Sequence, residues 1–256
     1  MSGAAAGEGV RAIAFASPDG SVWGAAISDG ERWSLASGPA GSGDGPIDVT
    51  VELDGGWRLE GGGGALSLLA TADDPPAGPA VDGYRTPGGP GSAFVPGESP
   101  ELCRVTGSVS GDVVEWRGVR VTVAPPRSAK DAPGSVRFVT GWLADGSAVG
   151  LIAVRSRRND HPDGDAVSAT LFDPERWLAV SDPRLSTTYD ASGAPARVNL
   201  ELWIGDGEHE YPRRAAGEAA AAPSASAGPG GALQVLPLRC HSRGEEGVGL
   251  YVLATF

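Results

Sequence analysis

Apolar residues recur along the chain in short runs, and within many of these runs they occupy every second position. This period of two is typical of β-strands, whereas the 3.6-residue period of an amphipathic helix is not sustained anywhere. The pattern predicts twelve strands, over residues 10–16, 22–28, 47–53, 65–72, 104–110, 113–123, 136–143, 148–155, 167–172, 198–204, 233–239 and 248–254.

The segments between these runs encode tight turns. Pairs such as Asp19-Gly20 and Asp145-Gly146 supply residues that tolerate the backbone angles of short hairpins. Gly and Pro are abundant overall, at 40 and 21 residues, which suits many short strands better than long helices. We therefore expect an all-β protein made of antiparallel hairpins.

Two segments depart from the strand pattern. Residues 212–222 are the best helix candidate, but Gly217 interrupts them and Pro223 ends them, so at most a turn or two is expected. Residues 215–231 are mostly Ala, Ser, Gly and Pro without an apolar face, and we expect a mobile loop there.

An internal echo suggests a duplicated β unit. The segment 19–27 reappears as 145–153, each beginning Asp-Gly-Ser after an apolar run, and the offset is close to half the chain. A Pro- and Gly-rich stretch separates the halves. We expect an N-terminal β unit at residues 10–72, a connection at 73–101 and a C-terminal β unit at 102–256.

The charge of the chain narrows the choice of partners. A net charge of -12 repels phosphate backbones, so nucleic acid is not an expected partner. No run approaches the roughly 18 apolar residues of a membrane span, and the first residues lack the features of a secretory signal. We expect a cytoplasmic protein without a membrane span.

The sequence offers little for a metal or a cofactor. Cys103 and Cys240 lie far apart without the spacing of a zinc site, and we expect two buried thiols. His161 lies in an oxygen-rich segment, residues 159–165, that resembles a calcium loop but lacks its terminal bidentate Glu, so a solvated turn is favoured. No cofactor-binding motif is present, and we predict neither metal nor cofactor.

The remaining histidines are candidates for acid-base chemistry. His209 and Tyr211 would lie on one face of a strand and, if they faced a pocket, would serve proton transfer; an exposed strand edge is the alternative. His241 follows Cys240, but no nearby residue is evident that would orient a Cys-His dyad.

Tryptophan and arginine supply the other candidate site residues. The seven tryptophans are spread over both halves, and they fit either solid cores or the wall of an apolar cavity. Arg117 and Arg120 fall on opposite faces of one predicted strand, so one of them could point inward, where it would need an acidic partner or an anionic ligand.

Four segments of the second half resemble the hydroxyneurosporene synthase and AttH group of proteins: residues 103–107, 142–146, 182–190 and 211–214. This resemblance implies two lipocalin-like antiparallel β units, each a barrel or a sandwich. It also implies a relation to carotenoid hydratases and to lipocalin-like cyclases and Diels-Alderases, which fold an apolar substrate in a cavity, often between the two units.

One departure from that group bears on mechanism. Its members commonly carry Gly-x-Arg followed by His-Ser-Trp-Gly, whereas here the Gly-Val-Arg of residues 118–120 is followed by Val-Thr-Val-Ala. Without that histidine, a cyclase that acts mainly by positioning its substrate is favoured over a hydratase.

The resulting expectation is a cofactor-free protein that binds a hydrophobic small molecule, such as a terpenoid, polyene or polyketide, and catalyses its cyclisation or rearrangement. A non-catalytic carrier with the same cavity is the alternative, and an interaction module without a ligand is a third. Arg120, Tyr211 and His209 are the candidate catalytic residues. The candidate substrate-binding residues are Trp116, Trp142, Trp203 and Arg117.

Overall fold

The structure, a computed structural model of the chain, describes residues 9–28, 32–38, 45–61, 64–73, 99–124, 132–157, 165–205, 210–227 and 231–256. The described residues form an all-β protein without any α-helix. They accordingly contain no helix with the length and apolar character required to span a membrane.

The N-terminal strands form a closed antiparallel barrel in chain order. The barrel consists of β1 (Arg11–Ala16), β2 (Trp23–Ser28), β3 (Trp33–Gly38), β4 (Gly45–Val51), β5 (Trp57–Gly61), β6 (Leu66–Ala72), β7 (Glu101–Val109) and β8 (Asp112–Thr122). Strand β8 pairs with β1, placing Arg120 opposite Ile13, and this pairing closes the barrel.

The C-terminal strands form one curled antiparallel sheet. Its strands are β9 (Pro133–Leu143), β10 (Ala148–Ser156), β11 (Ala166–Asp173), β12 (Arg176–Ala179), β13 (Asp182–Tyr189), β14 (Pro195–Gly205), β15 (Glu210–Ala219), β16 (Ser224–Ala227), β17 (Ala232–Ser242) and β18 (Glu245–Thr255). The path through the sheet is β12-β11-β10-β9-β18-β17-β15-β14-β13, with β16 paired to β17. After β12, Val180 donates to the Ala169 carbonyl of β11 and Ser181 to the Trp203 carbonyl of β14, which draws the two ends of the sheet together.

Three apolar layers result from the alternation of side chains along the strands. The barrel interior is filled by large side chains such as Phe15 and Leu59. The outer wall of the barrel packs against the outer face of the second sheet, where Ala14 and Phe138 share one core. The concave face of the second sheet holds a third cluster that includes Leu200. The interiors of the barrel and of the second sheet are therefore both filled by apolar side chains.

The echoed segments form the opening hairpin of each sheet, β1-β2 and β9-β10. In each turn the Asp carboxylate accepts a backbone N–H two residues later, Ser21 to Asp19 at 3.0 Å and Ser147 to Asp145 at 2.8 Å. The glycine after each Asp has a positive φ, 69° and 85°, which glycine adopts without strain. The structure thus places both segments at equivalent points of the two sheets.

The division between the sheets differs from the expected boundary. Strands β7 and β8, which the sequence analysis assigned to the C-terminal unit, complete the N-terminal barrel, and the chain passes to the second sheet between residues 122 and 133. Pairing of β7 with β6 across a long connection, such as Cys103 opposite Ala72, could not be inferred from a composition change. Most of that connection, residues 74–98, lies outside the described residues.

All twelve predicted strands overlap observed strands. Six further strands lie outside that set: β3, β5, β12, β13, β15 and β16, of which only the start of β15 was expected as a strand, from the alternation that includes His209 and Tyr211. The helix expected at residues 212–222 is wrong, because β15 runs through it. Pro212 is tolerated there since only β14 pairs with that part of β15. The loop expected at 215–231 is wrong for the end of β15 and for β16, whose pairing with β17 supplies the order that composition did not indicate.

Candidate functional site

Two adjoining hollows, of about 640 and 700 Å³, lie between the barrel and the second sheet. They share Asp73, Arg104 and Arg117 in their walls, and together they are called the junction groove here. The first hollow is also lined by Glu115, Trp116, Trp142 and Glu246, and the second by Asp145, Phe172, Asp173 and Trp177.

Two tryptophans supply the apolar wall of the first hollow. Trp116 of β8 is 9% exposed and belongs to the cluster inside the barrel, where it stacks on Phe15 with ring centroids 5.8 Å apart, so it lines the hollow from the barrel interior. Trp142 of β9 is 6% exposed and belongs to the core shared by the two sheets. Its indole Nε1 finds no acceptor among the described residues, which leaves a buried donor unsatisfied. The first hollow thus brings together indole rings contributed by both sheets.

A third tryptophan lines the second hollow. Trp177 of β12 packs edge-on against Phe172 of β11, with centroids 5.2 Å apart. The aromatic surface of the groove therefore continues from one hollow to the other. Behind this surface, the Arg213 guanidinium lies 3.7 Å from the carboxylate of Asp173 and is largely buried.

Carboxylates and two arginines line the mouth of the groove. Arg104 lies between the carboxylates of Glu115, at 3.4 Å, and Asp73, at 4.0 Å. Arg117 donates to the backbone carbonyl of Gly146 at 3.1 Å and so bridges the barrel to the β9-β10 hairpin. A hydrogen bond from Ser147 lowers the pKa of Asp145, which keeps that carboxylate ionised.

The described walls contain neither histidine nor cysteine, so proton transfer in the groove would fall to carboxylates. Among the described residues, no group of three His, Cys, Asp or Glu is arranged to hold a metal ion. What this arrangement can do chemically is to enclose an apolar body between indole rings while charged groups contact the polar parts of the ligand.

Comparison with known proteins agrees with this architecture. No protein-family profile matches the sequence, and no curated protein sequence matches it. The structure is similar to the crystal structure of a provisionally assigned AttH from Nitrosomonas europaea, with a TM-score of 0.54, 14% sequence identity, and coverage of 97% of this chain and 92% of that chain. The chain has an AttH-like fold. At this identity the likeness shows the fold alone, and it confirms the two lipocalin-like β units that the sequence predicted.

Within the AttH-like fold, three predicted substrate-binding residues meet in the groove: Trp116, Trp142 and Arg117. The fourth, Trp203 of β14, lies elsewhere and donates to the Glu201 carboxylate at 3.0 Å. Spacing along the chain could not separate these cases, because all three tryptophans lie on strands.

The two predicted catalytic residues that the structure describes, Arg120 and Tyr211, are not among the groove-lining residues. Arg120 points into the barrel, where its Nε donates to Glu101 at 3.1 Å and its NH1 to the Gly55 carbonyl at 2.6 Å. Tyr211 of β15 is 48% exposed. His209, like His161, lies outside the described residues.

Several groove residues were not among the sequence candidates, notably Trp177, Arg104, Asp73 and Glu246. Trp177 belonged to the set of seven tryptophans, but nothing in its local sequence distinguished it. The ionic residues meet through strand pairing whose register the local sequence did not indicate, such as Arg104 opposite Arg117 in the β7-β8 hairpin.

The two cysteines are free, as expected from their spacing. Burial raises the pKa of Cys103 well above its usual range and that of Cys240 to about 12. Both sulfurs therefore remain protonated near neutral pH and are poor nucleophiles.

Proposed function

We propose that the protein binds a hydrophobic small molecule in the junction groove and catalyses its cyclisation or rearrangement without a cofactor. The observation that carries the proposal is the pair of largely buried indole rings, Trp116 and Trp142, facing one hollow of about 640 Å³ where the two sheets meet. That volume is within the range of small-molecule sites, roughly 300–1,000 Å³.

The groove supports a ligand with a particular character. An apolar body would lie against the indole rings, and the carboxylates and arginines of the walls would contact its polar groups. The filled interiors of the barrel and of the second sheet favour the groove over either interior as the binding site.

Catalysis in such a groove would rest on positioning. Holding a flexible substrate in its reactive conformation can lower the activation barrier by several kcal/mol, and by on the order of 7–11 kcal/mol in well-oriented systems. The carboxylates of Glu115 and Glu246 beside the indole rings would favour positive charge that develops on the substrate.

The second candidate is a carrier that releases its ligand unchanged. It is favoured by the absence of histidine and cysteine from the described walls. Incubation of the protein with bound polyenes, terpenoids or polyketide intermediates, followed by chromatography and mass spectrometry, separates the two: an isomeric product supports the enzyme, and recovery of the intact ligand supports the carrier.

Binding itself is tested by calorimetric titration of those ligands into the protein and two variants. Trp142→Phe replaces an indole of the groove wall by a smaller ring and should weaken binding about tenfold through lost apolar contact. Trp203→Phe changes a tryptophan outside the groove and should leave affinity within about twofold. Equal loss in both variants would place the ligand outside the groove, and no binding of any ligand would favour a module without a ligand; either result overturns the proposal.

A further inference from the structure

The outer face of β13, β14 and β15 carries a second feature, which the proposed function does not use. Pairing aligns Arg184, Glu201 and Arg214 side by side across the three strands. Two residues further along each strand lies a row of shorter side chains: Ser186, Asn199 and Ala216. On the far side of this row, in β14, lies Arg197.

Long side chains on both sides of a short row create a trough. Its volume is about 520 Å³, and it is called the arginine trough here. His241 and Arg243 of the β17-β18 hairpin close one end. The trough and the junction groove share no lining residue, although His241 of the trough pairs with Glu246 of the groove in that hairpin.

A single carboxylate organises two of the arginines. Glu201 accepts hydrogen bonds from Nε1 of Trp203 at 3.0 Å and from Nε of Arg214 at 3.2 Å, and NH1 of Arg184 lies 3.6 Å away. These contacts lower the pKa of Glu201, with the Trp203 hydrogen bond as the largest cause. Glu201 thus remains ionised and holds a guanidinium on each neighbouring strand, while 63% and 74% of the two arginine side chains stay exposed.

The charge of the trough is opposite to that of the protein. Its walls contain four arginines and one carboxylate, in a chain with a net charge of -12. Two outlying carboxylates also pair with trough arginines, Asp182 with Arg184 at 2.7 Å and Glu218 with Arg197 at 3.8 Å. Positive charge therefore remains in excess, and Arg243 has no ion pair among the described residues.

We infer that the arginine trough is a binding site for a small polyvalent oxyanion of the phosphate-ester or pyrophosphate type. Guanidinium groups present paired N–H donors that match the oxygens of such anions. Arginines on two sides of a floor with hydroxyl and amide groups would contact several oxygens at once. A polyvalent anion is favoured because its several charged oxygens can contact several guanidinium groups at once, which a monovalent carboxylate cannot do.

The test is calorimetric titration of pyrophosphate into the full chain at constant ionic strength. Arg184→Gln and Arg214→Gln should each weaken binding about tenfold, as expected for the loss of one charge-assisted contact. Arg176→Gln removes an exposed arginine from β12, at the other edge of the sheet, and should change the affinity less than about twofold. Thermal melting should show that all three variants remain folded.

Acetate serves as the monovalent control and should bind far more weakly than pyrophosphate. The inference is overturned if pyrophosphate does not bind, if acetate binds equally well, or if Arg176→Gln weakens binding as much as the trough variants. None of these outcomes depends on the junction groove, so the inference and the proposed function can fail separately.

Discussion

The Arg120 guanidinium lies against the Glu101 carboxylate at 3.1 Å on the inner side of the barrel, where it is only 12% exposed. It also lies over the ring of Trp57, 5.3 Å from the centroid. Of the two arginines on β8, Arg120 is thus the one that points inward and has the acidic partner that such a position requires. Its contacts tie β8 to β7 and to the turn before β5.

We predict that Arg120→Gln lowers the free energy of unfolding by about 1–3 kcal/mol, because Glu101 and the Gly55 carbonyl lose their charged donor. Arg58→Gln is the matched control: its ion pair with Glu52 is also short, 2.6 Å, but half-exposed, and should be worth less than about 1 kcal/mol. Urea unfolding measures both. A fall in ligand affinity or turnover without loss of stability would instead assign Arg120 to the ligand, as the sequence analysis expected.

Much of the fold follows from local sequence. Period-two runs predict strands whatever their partners, and Asp-Gly-Ser turns predict the two opening hairpins. The missed strands show the limit of this approach. β13 presents Arg184, Ser186 and Thr188 outward, and the inward-facing Leu185 adds little apolar signal. Its place in the sheet depends on pairing with β14, which the local pattern does not encode.

Asp165 is predicted to be the carboxylate of the second sheet whose substitution lowers the free energy of unfolding most. It is 3% exposed, and both Arg137 of β9 and Arg155 of β10 donate to it, the latter at 2.7 Å through Nε. Asp165→Asn leaves two guanidinium groups without their shared counter-charge, and we expect a loss of about 3–5 kcal/mol. Asp182→Asn, at a 52% exposed carboxylate, should cost less than about 1 kcal/mol. Comparable losses in thermal melting would contradict this account.

We predict that the buried hydroxyl of Tyr251 makes the free energy of unfolding fall at alkaline pH. Burial raises the pKa of its hydroxyl from 10.0 to about 12 in the folded protein. The folded state thus holds this proton more tightly than the unfolded state. The contribution of Tyr251 to the free energy of unfolding is therefore complete below pH 10 and is lost as the pH rises to 12. Its size is on the order of 2 kcal/mol.

Urea unfolding at several values between pH 9 and 12 measures this effect. Tyr251→Phe should flatten the decline over that range, since it removes the titrating group. Tyr211→Phe, at a half-exposed tyrosine, should leave the decline unchanged. An unaltered decline in Tyr251→Phe would assign the alkaline loss to other groups.

Gly150 of β10 is predicted to set the distance between the two sheets. A Cβ at this position would lie 2.7 Å from Cβ of Pro100 and 2.7 Å from Cγ1 of Val119, both on the barrel side. Gly150→Ala should therefore cost about 1–3 kcal/mol through overpacking. At Gly141 in the paired strand the nearest atom would be 3.3 Å away, and Gly141→Ala should cost less than about 1 kcal/mol. Equal melting temperatures for the two variants would contradict the close approach.

The site was less predictable than the fold for a physical reason. Trp116, from the barrel interior, and Trp142, from the core between the barrel and the second sheet, line one hollow because the two sheets dock, and no local pattern encodes that docking. Within the barrel, strand pairing brings Arg104 of β7 to its partner carboxylates, Glu115 of β8 and Asp73 directly after β6. Sequence could identify the residue types suited to a ligand, and tertiary packing decided which of them meet.

The most direct test of the junction groove as the binding site is a crystal structure of the protein saturated with the tightest ligand found by titration. The account predicts ligand density between the barrel and the second sheet, against the rings of Trp116 and Trp142. Density inside the barrel or within the concave face of the second sheet, with the groove empty, would contradict it.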